Sequence, residues 1–341
     1  MNGYQRITAA LKGEQHDRIP VMLHNFMLAA REAGMTMKEY RSNPQNIARA
    51  HIQAVEKYRL DGILLDIDTA LLAGALHVPV KFPEDEPARA HGALLRTPED
   101  FENLQPPDIG KNERIICSLE AASLLKTYFK DEVFLRGNID QAPFSLASML
   151  RTPAEWMTDL LVNEEFAFRL LDYCFDACIQ YLRLMAATGV HMLSNGDSPA
   201  GPDLVPPGLY RKFALPYENK LAILAHELGK PYLVHICGNT DLILQDLAEA
   251  GFDGVELDHK TDIHKICGFF SEKVTFFGNI DPSGVIACGT PETVSRKVNE
   301  LLTVYRVSNR FVLNAGCAIP STAPEVNIRS LVEAAARWQV R

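Results

Sequence analysis

Two ligand-type side chains stand two residues apart in the stretch Tyr232–Leu233–Val234–His235–Ile236–Cys237–Gly238–Asn239–Thr240. The apolar run before them reads as a buried strand, and Gly238 breaks it. On a strand, residues i and i+2 point to the same side. An imidazole and a thiol therefore project together from one strand end. Zinc favours such nitrogen and sulfur donors and takes three or four of them. The best third ligand is Cys317, because Asn314–Ala315–Gly316–Cys317–Ala318–Ile319–Pro320 places a thiol directly after another apolar run, beside small residues that leave room. Cys174 and Cys178 fall four apart on an apolar helix and read as core residues. Cys117, Cys267 and Cys288 lie in or near helices or loops, away from strand ends. Three protein ligands leave one coordination position open, which is the catalytic arrangement of zinc. Such an ion could hold a substrate thiol as thiolate, or polarise a substrate oxygen.

A site of this kind needs rigid strands to hold it, and the chain offers eight. Apolar runs occur at 18–23, 61–68, 133–140, 190–197, 232–237, 252–259, 274–281 and 310–317. Between them, helical periodicity covers 43–59, 119–128, 153–187, 210–228, 291–305 and 325–339, with a further helix at 1–13 ahead of the first strand and one running to Ala250 after the fifth. Residues 73–97 do not fit a helix and read as an inserted loop or hairpin after the second strand. Strands alternating with helices make a parallel sheet, and eight strands close a barrel. The expected fold is α/β, a (β/α)8 TIM barrel forming one domain over 1–341. An open doubly wound sheet is the alternative, but no GxGxxG or GxxxxGK[ST] occurs. Most strands end in polar or reactive groups: His24, Asp68, Asp140, Asp197, Cys237, Asp258, Asp281 and Cys317. In a barrel those ends share one opening, where such enzymes keep their active sites.

The net charge of −9 argues against a nucleic-acid or anionic-membrane surface. No apolar run approaches the roughly 18 residues of a membrane span, and the polar start Met1–Asn2–Gly3–Tyr4–Gln5–Arg6 has no apolar signal core. Seven irregularly spaced cysteines fit reduced thiols better than a disulfide framework. The expected compartment is the cytoplasm.

Several motifs together resemble the uroporphyrinogen decarboxylase superfamily over nearly the whole chain. Arg31–Glu32–Ala33–Gly34–Met35 with Glu39–Tyr40–Arg41 is similar to RQAGRYxPEYR, and Leu65–Asp66–Ile67–Asp68 with Ala75–Leu76 to FSDI…ALG. Phe144–Ser145–Leu146–Ala147–Ser148–Met149 resembles WTLxxY, Gly196–Asp197–Ser198–Pro199–Ala200–Gly201 resembles FDSWAG, and Asn314–Ala315–Gly316–Cys317 resembles NLGHG. The resemblance implies a (β/α)8 barrel and puts Asp68 on the decarboxylases' essential aspartate. The chain departs from them at Met35, in place of the second arginine, at Met149, in place of the tyrosine, and at Cys317, in place of the histidine. A porphyrinogen carries eight carboxylates and wants positive or donor groups around it. This opening instead collects Asp66, Asp68, Asp140, Asp197, Asp258 and Asp281.

His-x-Cys on the fifth strand with a cysteine after the eighth resembles the zinc signature of the superfamily's cobamide-dependent methyltransferases. That resemblance implies zinc on His235, Cys237 and Cys317, with Glu256, Asp258 or a water as fourth ligand or support. It also implies a separate corrinoid (cobalamin-type) protein as partner, and methyl transfer to or from a thiol such as coenzyme M or a methoxylated small molecule. Asp68, His24 and Asn25 are then candidate catalytic residues, and Arg31, Asn138, Asp197, Ser198, Asn279 and Asp281 candidate pocket residues. Arg31 and Arg136 are candidates to hold a sulfonate. Decarboxylation of a porphyrinogen or smaller acid is the alternative activity, and a homodimer is the oligomer that the decarboxylase relatives suggest.

Overall fold

A computed structural model describes residues 1–338; the last position of the expected closing helix, Gln339, lies outside the described residues. The strands are β1 (Met22–Leu23), β2 (Gly62–Leu65), β3 (Val80–Lys81), β4 (Arg89–Ala90), β5 (Phe134–Gln141), β6 (Met192–Gly196), β7 (Tyr232–Ile236), β8 (Gly254–Leu257), β9 (Thr275–Ile280) and β10 (Phe311–Ala315). Eight form one parallel sheet in the order β1-β2-β5-β6-β7-β8-β9-β10, and β3 and β4 form a separate antiparallel hairpin. The seam between β1 and β10 is joined by a parallel bridge from Val21 to Leu313. There Leu313 N donates to Pro20 O at 2.9 Å and His24 N to Asn314 Oδ1 at 2.9 Å. The sheet is thus a (β/α)8 barrel.

Period-two alternation sorts the barrel interior into layers. Met22, Phe134, Met192, Leu233, Phe277 and Val312 form the lowest layer, plugged from below by Ile7 and Ala10 of the helix Gly3–Lys12. Gly62 and Gly254 complete that layer because nothing larger fits. A Cβ on Gly254 would stand 2.9 Å from Phe277 and 3.0 Å from Leu233. Two residues further along, seven of the eight strands turn polar and buried: His24, Arg136, Ser194, His235, Glu256, Asn279 and Asn314, with Leu64 the apolar eighth. The dry plug fixes the strands, and the polar layer above it opens to the C-terminal face.

The structure departs from the sequence expectations in the bounds of several elements and in added helices. The first strand shrinks from 18–23 to Met22–Leu23, because Pro20 has no N–H to give and Arg18 turns to the carboxylate of Asp61 at 2.7 Å. Residues 73–75, expected as loop, end a short helix Leu71–Ala75 whose Leu72 N donates to Asp140 Oδ2 at 2.7 Å; the hairpin follows it. The helix expected from 119 begins at Glu113, capped by Asn112. The helix expected over 210–228 is uniform only from Leu215 to Glu227. A wider turn precedes it at Tyr210–Ala214, next to Pro216, whose missing N–H interrupts the ladder. The helices Phe26–Glu32, Met37–Tyr40 and Pro143–Arg151 were not anticipated.

Candidate metal centre

β7 delivers His235 and Cys237 on the inward face, and the end of β10 delivers Cys317 from across the barrel. His235 Nε2 lies 3.1 Å from Cys237 Sγ, and the two sulfurs are 3.5 Å apart. One ligand atom from each residue falls within 4.8 Å of the others. A tetrahedral zinc with bonds of about 2.3 Å to sulfur would hold its two sulfurs roughly 3.8 Å apart, close to the spacing present here. Among the described residues this is the one group of three or more histidine, cysteine or carboxylate side chains so arranged.

Local chain geometry makes the convergence possible. Cys237 N donates to Ser198 Oγ at 3.1 Å, tying the ligand-bearing turn to the loop after β6. Gly238 then takes a left-handed φ of 84°, and its N–H donates to Asp258 Oδ2 at 3.0 Å. A Cβ at that glycine would sit 2.3 Å from Asp203 Oδ2. Gly316 lets β10 end tight against the chain after β8, since a Cβ there would meet His259 N at 2.7 Å. That close approach brings Cys317 to the other two ligands.

Behind the thiols stands a fully buried ionic layer. β8 pairs in register with β7, His235 beside Glu256. Glu256 Oε1 lies 3.1 Å from His235 Nδ1, the nitrogen facing away from the sulfurs, and that nitrogen has no hydrogen-bond partner beyond this ionic contact. A carboxylate in this position fixes the tautomer that leaves Nε2 free to bind a metal. The other oxygen, Oε2, is paired with Arg136 and accepts from Asn314 Nδ2 at 3.0 Å. Burial pushes the Glu256 carboxyl toward its protonated form, but the Arg136 guanidinium, with His235 and His24, outweighs it and holds the group well below the usual range. Arg136 Nε in turn donates to Ser194 Oγ at 2.8 Å. His24 stands between two carboxylates, Nε2 at 2.9 Å from Asp66 and Nδ1 at 3.6 Å from Glu256. Burial opposes its charge, and the two carboxylates together raise its pKa.

The two thiols lie against each other and against His235. A hydrogen bond from Cys317, helped by His235, pulls Cys237 down to about 3 against the effect of burial. Cys317, by its contact with Cys237 and by burial, is raised well above the ordinary thiol value. Two thiols and an imidazole converging in this way make a donor set that can exchange protons for a metal ion. Zinc fits these residues.

The other sequence candidates fall into two groups. Asn279 and Asn138 join the interior polar layer: Asn279 Nδ2 donates to Asp258 O at 3.2 Å, and Asn138 Oδ1 accepts from Ser194 Oγ at 3.4 Å. Asn25 is buried at the end of β1, its Nδ2 without a partner. Ser198 supports Cys237, as above. The rest are engaged elsewhere. Asp258 caps the turn at Gly238, and Asp281 accepts from Ser283 N and Gly284 N, both at 2.9 Å. Asp197 is wholly buried and accepts from Ser145 N at 2.9 Å, which caps the helix Pro143–Arg151. Asp68 lies 3.1 Å from Arg41 Nε and accepts from Ala88 N, in the loop of the hairpin just ahead of β4. Burial, first among several influences, raises its pKa to about 6. Arg31 is exposed and donates to Ala323 O at 2.9 Å. Arg136 is consumed by Glu256. What the sequence reading missed is the pairing of Arg136, Glu256, Asn314 and His24 behind the ligands. The available signal was a lone charge at the inward parity of two apolar strands, Arg136 after Phe134–Leu135 and Glu256 between Val255 and Leu257.

The uroporphyrinogen decarboxylase (URO-D) family profile matches residues 2–338. The methylcobamide:CoM methyltransferase MtbA of Methanosarcina acetivorans is 31% identical over 246 residues, 72% of this chain and 70% of that protein. The methylcobamide:CoM methyltransferase MtaA of Methanosarcina barkeri is 24% identical over 96% of both chains. A uroporphyrinogen decarboxylase of Coxiella burnetii is 26% identical over 98% of this chain and 95% of its own. Among solved structures, a methyltransferase from Methanosarcina mazei superposes with a TM-score of 0.89 over 98% of both chains at 24% identity, which shows the same fold. The chain belongs to the uroporphyrinogen decarboxylase family, in the branch of the methylcobamide methyltransferases.

Proposed function

We propose that the chain is a zinc-dependent methyltransferase that moves a methyl group between a corrinoid carried by a separate protein and a heteroatom of a small molecule. The observation that carries this reading is the convergence of His235, Cys237 and Cys317 at the barrel mouth, with Glu256 set behind the histidine. A zinc ion in this donor set supplies Lewis acidity, lowering the pKa of a bound thiol or polarising a bound oxygen. His235 and Cys237 hold their donors rigidly because both sit at one strand end. Glu256, ionised by Arg136, keeps the His235 proton on Nδ1 and its Nε2 lone pair toward the centre. The polar layer from His24 to Asn314 orients the ligands, while the apolar plug beneath keeps water from entering below. The corrinoid protein would dock over the C-terminal face, the open end of the barrel. The names of the two Methanosarcina methyltransferases support the corrinoid; the donor set supports the zinc.

Decarboxylation has the family profile and the Coxiella relative in its favour. Against it, Asp68 is buried, paired with Arg41 and engaged by Ala88 N. Metal analysis tests the main reading. About one zinc per chain is expected in the wild type and none in Cys317→Ala. A wild-type protein purified from zinc-replete medium without zinc would overturn it.

A further inference from the structure

The two sulfurs of the centre face each other as well as a metal position. Cys237 lies one residue past β7 and Cys317 two residues past β10, both on turns beyond the rigid strands. Their Sγ atoms stand 3.5 Å apart although the residues are 80 positions apart in the chain, and His235 Nε2 is 3.1 Å from Cys237 Sγ. A disulfide bond is about 2.05 Å long, so the sulfurs have about 1.5 Å to close, a shift within reach of two side chains rotating on their turns. Both cysteines are only half-buried, so a small reagent entering the barrel mouth reaches them. The remaining five are placed differently. Cys174, Cys178 and Cys267 are buried, and Cys178 and Cys267 give their thiols to the carbonyls of Gln141 and Val304 at 3.4 and 3.7 Å. Cys117 is half-buried on its helix, and Cys288 is exposed.

We infer that the ligand pair is also a redox modification site: in the metal-free protein a low-molecular-weight disulfide oxidises Cys237 and Cys317 to an intramolecular disulfide, which shuts the centre to metal until a thiol reduces it. The consequence rests on the zinc reading above; the bond itself does not. In the first step the Cys237 sulfur, as thiolate, attacks one sulfur of the reagent RSSR. A Cys237–SR bond forms, the reagent's S–S bond breaks and one RS⁻ leaves. In the second step the Cys317 sulfur attacks the Cys237 sulfur and expels the second RS⁻. The protein loses two electrons and two protons, and the reagent becomes two molecules of RSH. A bound metal opposes both steps, because it engages a lone pair of each sulfur and holds the two at tetrahedral spacing. Disulfide sulfurs in turn are no longer the thiolates that a metal binds. Oxidation and metal binding therefore exclude each other at these two residues.

Mass spectrometry gives a readout independent of turnover. The parent protein is Cys288→Ser, so that the exposed thiol does not report, stripped of metal by a chelator under reducing conditions and then freed of both reagents. Oxidised glutathione is the probe. The intact mass is expected to fall by that of two hydrogens, a peptide joining Cys237 to Cys317 is expected in the digest, and dithiothreitol is expected to reverse both changes. Cys317→Ser in the same parent is expected to stop at the first step, with one glutathione on Cys237. Protein loaded with zinc beforehand is expected to cross-link at least about tenfold more slowly. A stable glutathione adduct on Cys237 of the parent, with Cys317 still open to alkylation, overturns the inference. So does a cross-link to another cysteine, an absence of reaction, an equal rate with zinc bound, or zinc uptake by the oxidised protein as tight as by the reduced one. The two readings fail separately. A parent that cross-links but takes up no zinc when reduced sinks the metal site and leaves the disulfide, whereas zinc uptake without cross-linking of the metal-free form sinks only the redox site.

Discussion

At the scale of single residues the site depends on groups that never reach the metal position. Glu256 is the clearest: it sets the tautomer of His235 and is itself kept ionised by Arg136. Removing its charge while keeping its shape tests that role. Glu256→Gln is expected to weaken zinc binding by about 10- to 100-fold, as lost outer-shell carboxylates do, read by competition with a chromophoric chelator. An unchanged affinity would mean that His235 is oriented by other contacts. Asp140 gives a second case, with a sign that can be worked out. Its pKa in the folded protein, about 7, lies above that of an unfolded aspartate. The native state therefore holds the proton more tightly, and ionisation costs stability progressively as pH rises from about 4 toward 7. Asp140→Asn keeps the oxygen that accepts from Leu72 N and removes that cost. Its thermal midpoint is expected to exceed wild type at pH 8 and to match it near pH 4.5; a variant less stable than wild type at pH 8 would count against the assignment.

At the scale of elements, the turn after β7 decides whether two strand-end ligands become part of a three-residue site. Gly238 adopts φ 84° where a Cβ would collide with Asp203, and its N–H is held by Asp258. Gly238→Ala combines a left-handed backbone penalty of roughly 1–2 kcal/mol with that collision. The expected result is a drop in stability of at least about that size in urea unfolding, together with weakened metal binding, because Cys237 is the adjacent residue. The sequence showed this glycine ending a strand; it did not show that Asp258, read as a possible ligand, is the group that caps the turn. The hairpin of β3 and β4 is another element whose part emerged only with its contacts. The sequence reads it as an insertion; the structure shows its loop giving Ala88 N to the buried Asp68.

For the molecule as a whole, a centre drawing ligands from β7 and β10 links parts of the barrel that are not neighbours in the sheet. Metal that binds only the folded arrangement stabilises it by mass action, about 4 kcal/mol at a thousandfold excess over the dissociation constant. Removing zinc with a chelator is thus expected to lower the thermal midpoint of the wild type by several degrees and to leave Cys317→Ala unmoved. Equal shifts in both proteins would place the chelator's effect elsewhere.

The sequence by itself determined the barrel, because eight apolar strands alternating with helices have few other ways to bury both faces of a parallel sheet. It also picked out His235, Cys237 and Cys317, since the period of a strand is local and a thiol after each of two strand ends is visible without coordinates. It could not assign partners, because pairing across a barrel depends on register and on which inward position meets which. Only the tertiary structure decided that Glu256 stands behind His235, that Arg136 is neutralised there and unavailable to a substrate anion, and that Asp68, Asp197 and Asp258 hold a hairpin, a helix and a turn. Those carboxylates share one sequence signature at strand ends, and their roles separate only when burial and the nearest N–H or guanidinium are known.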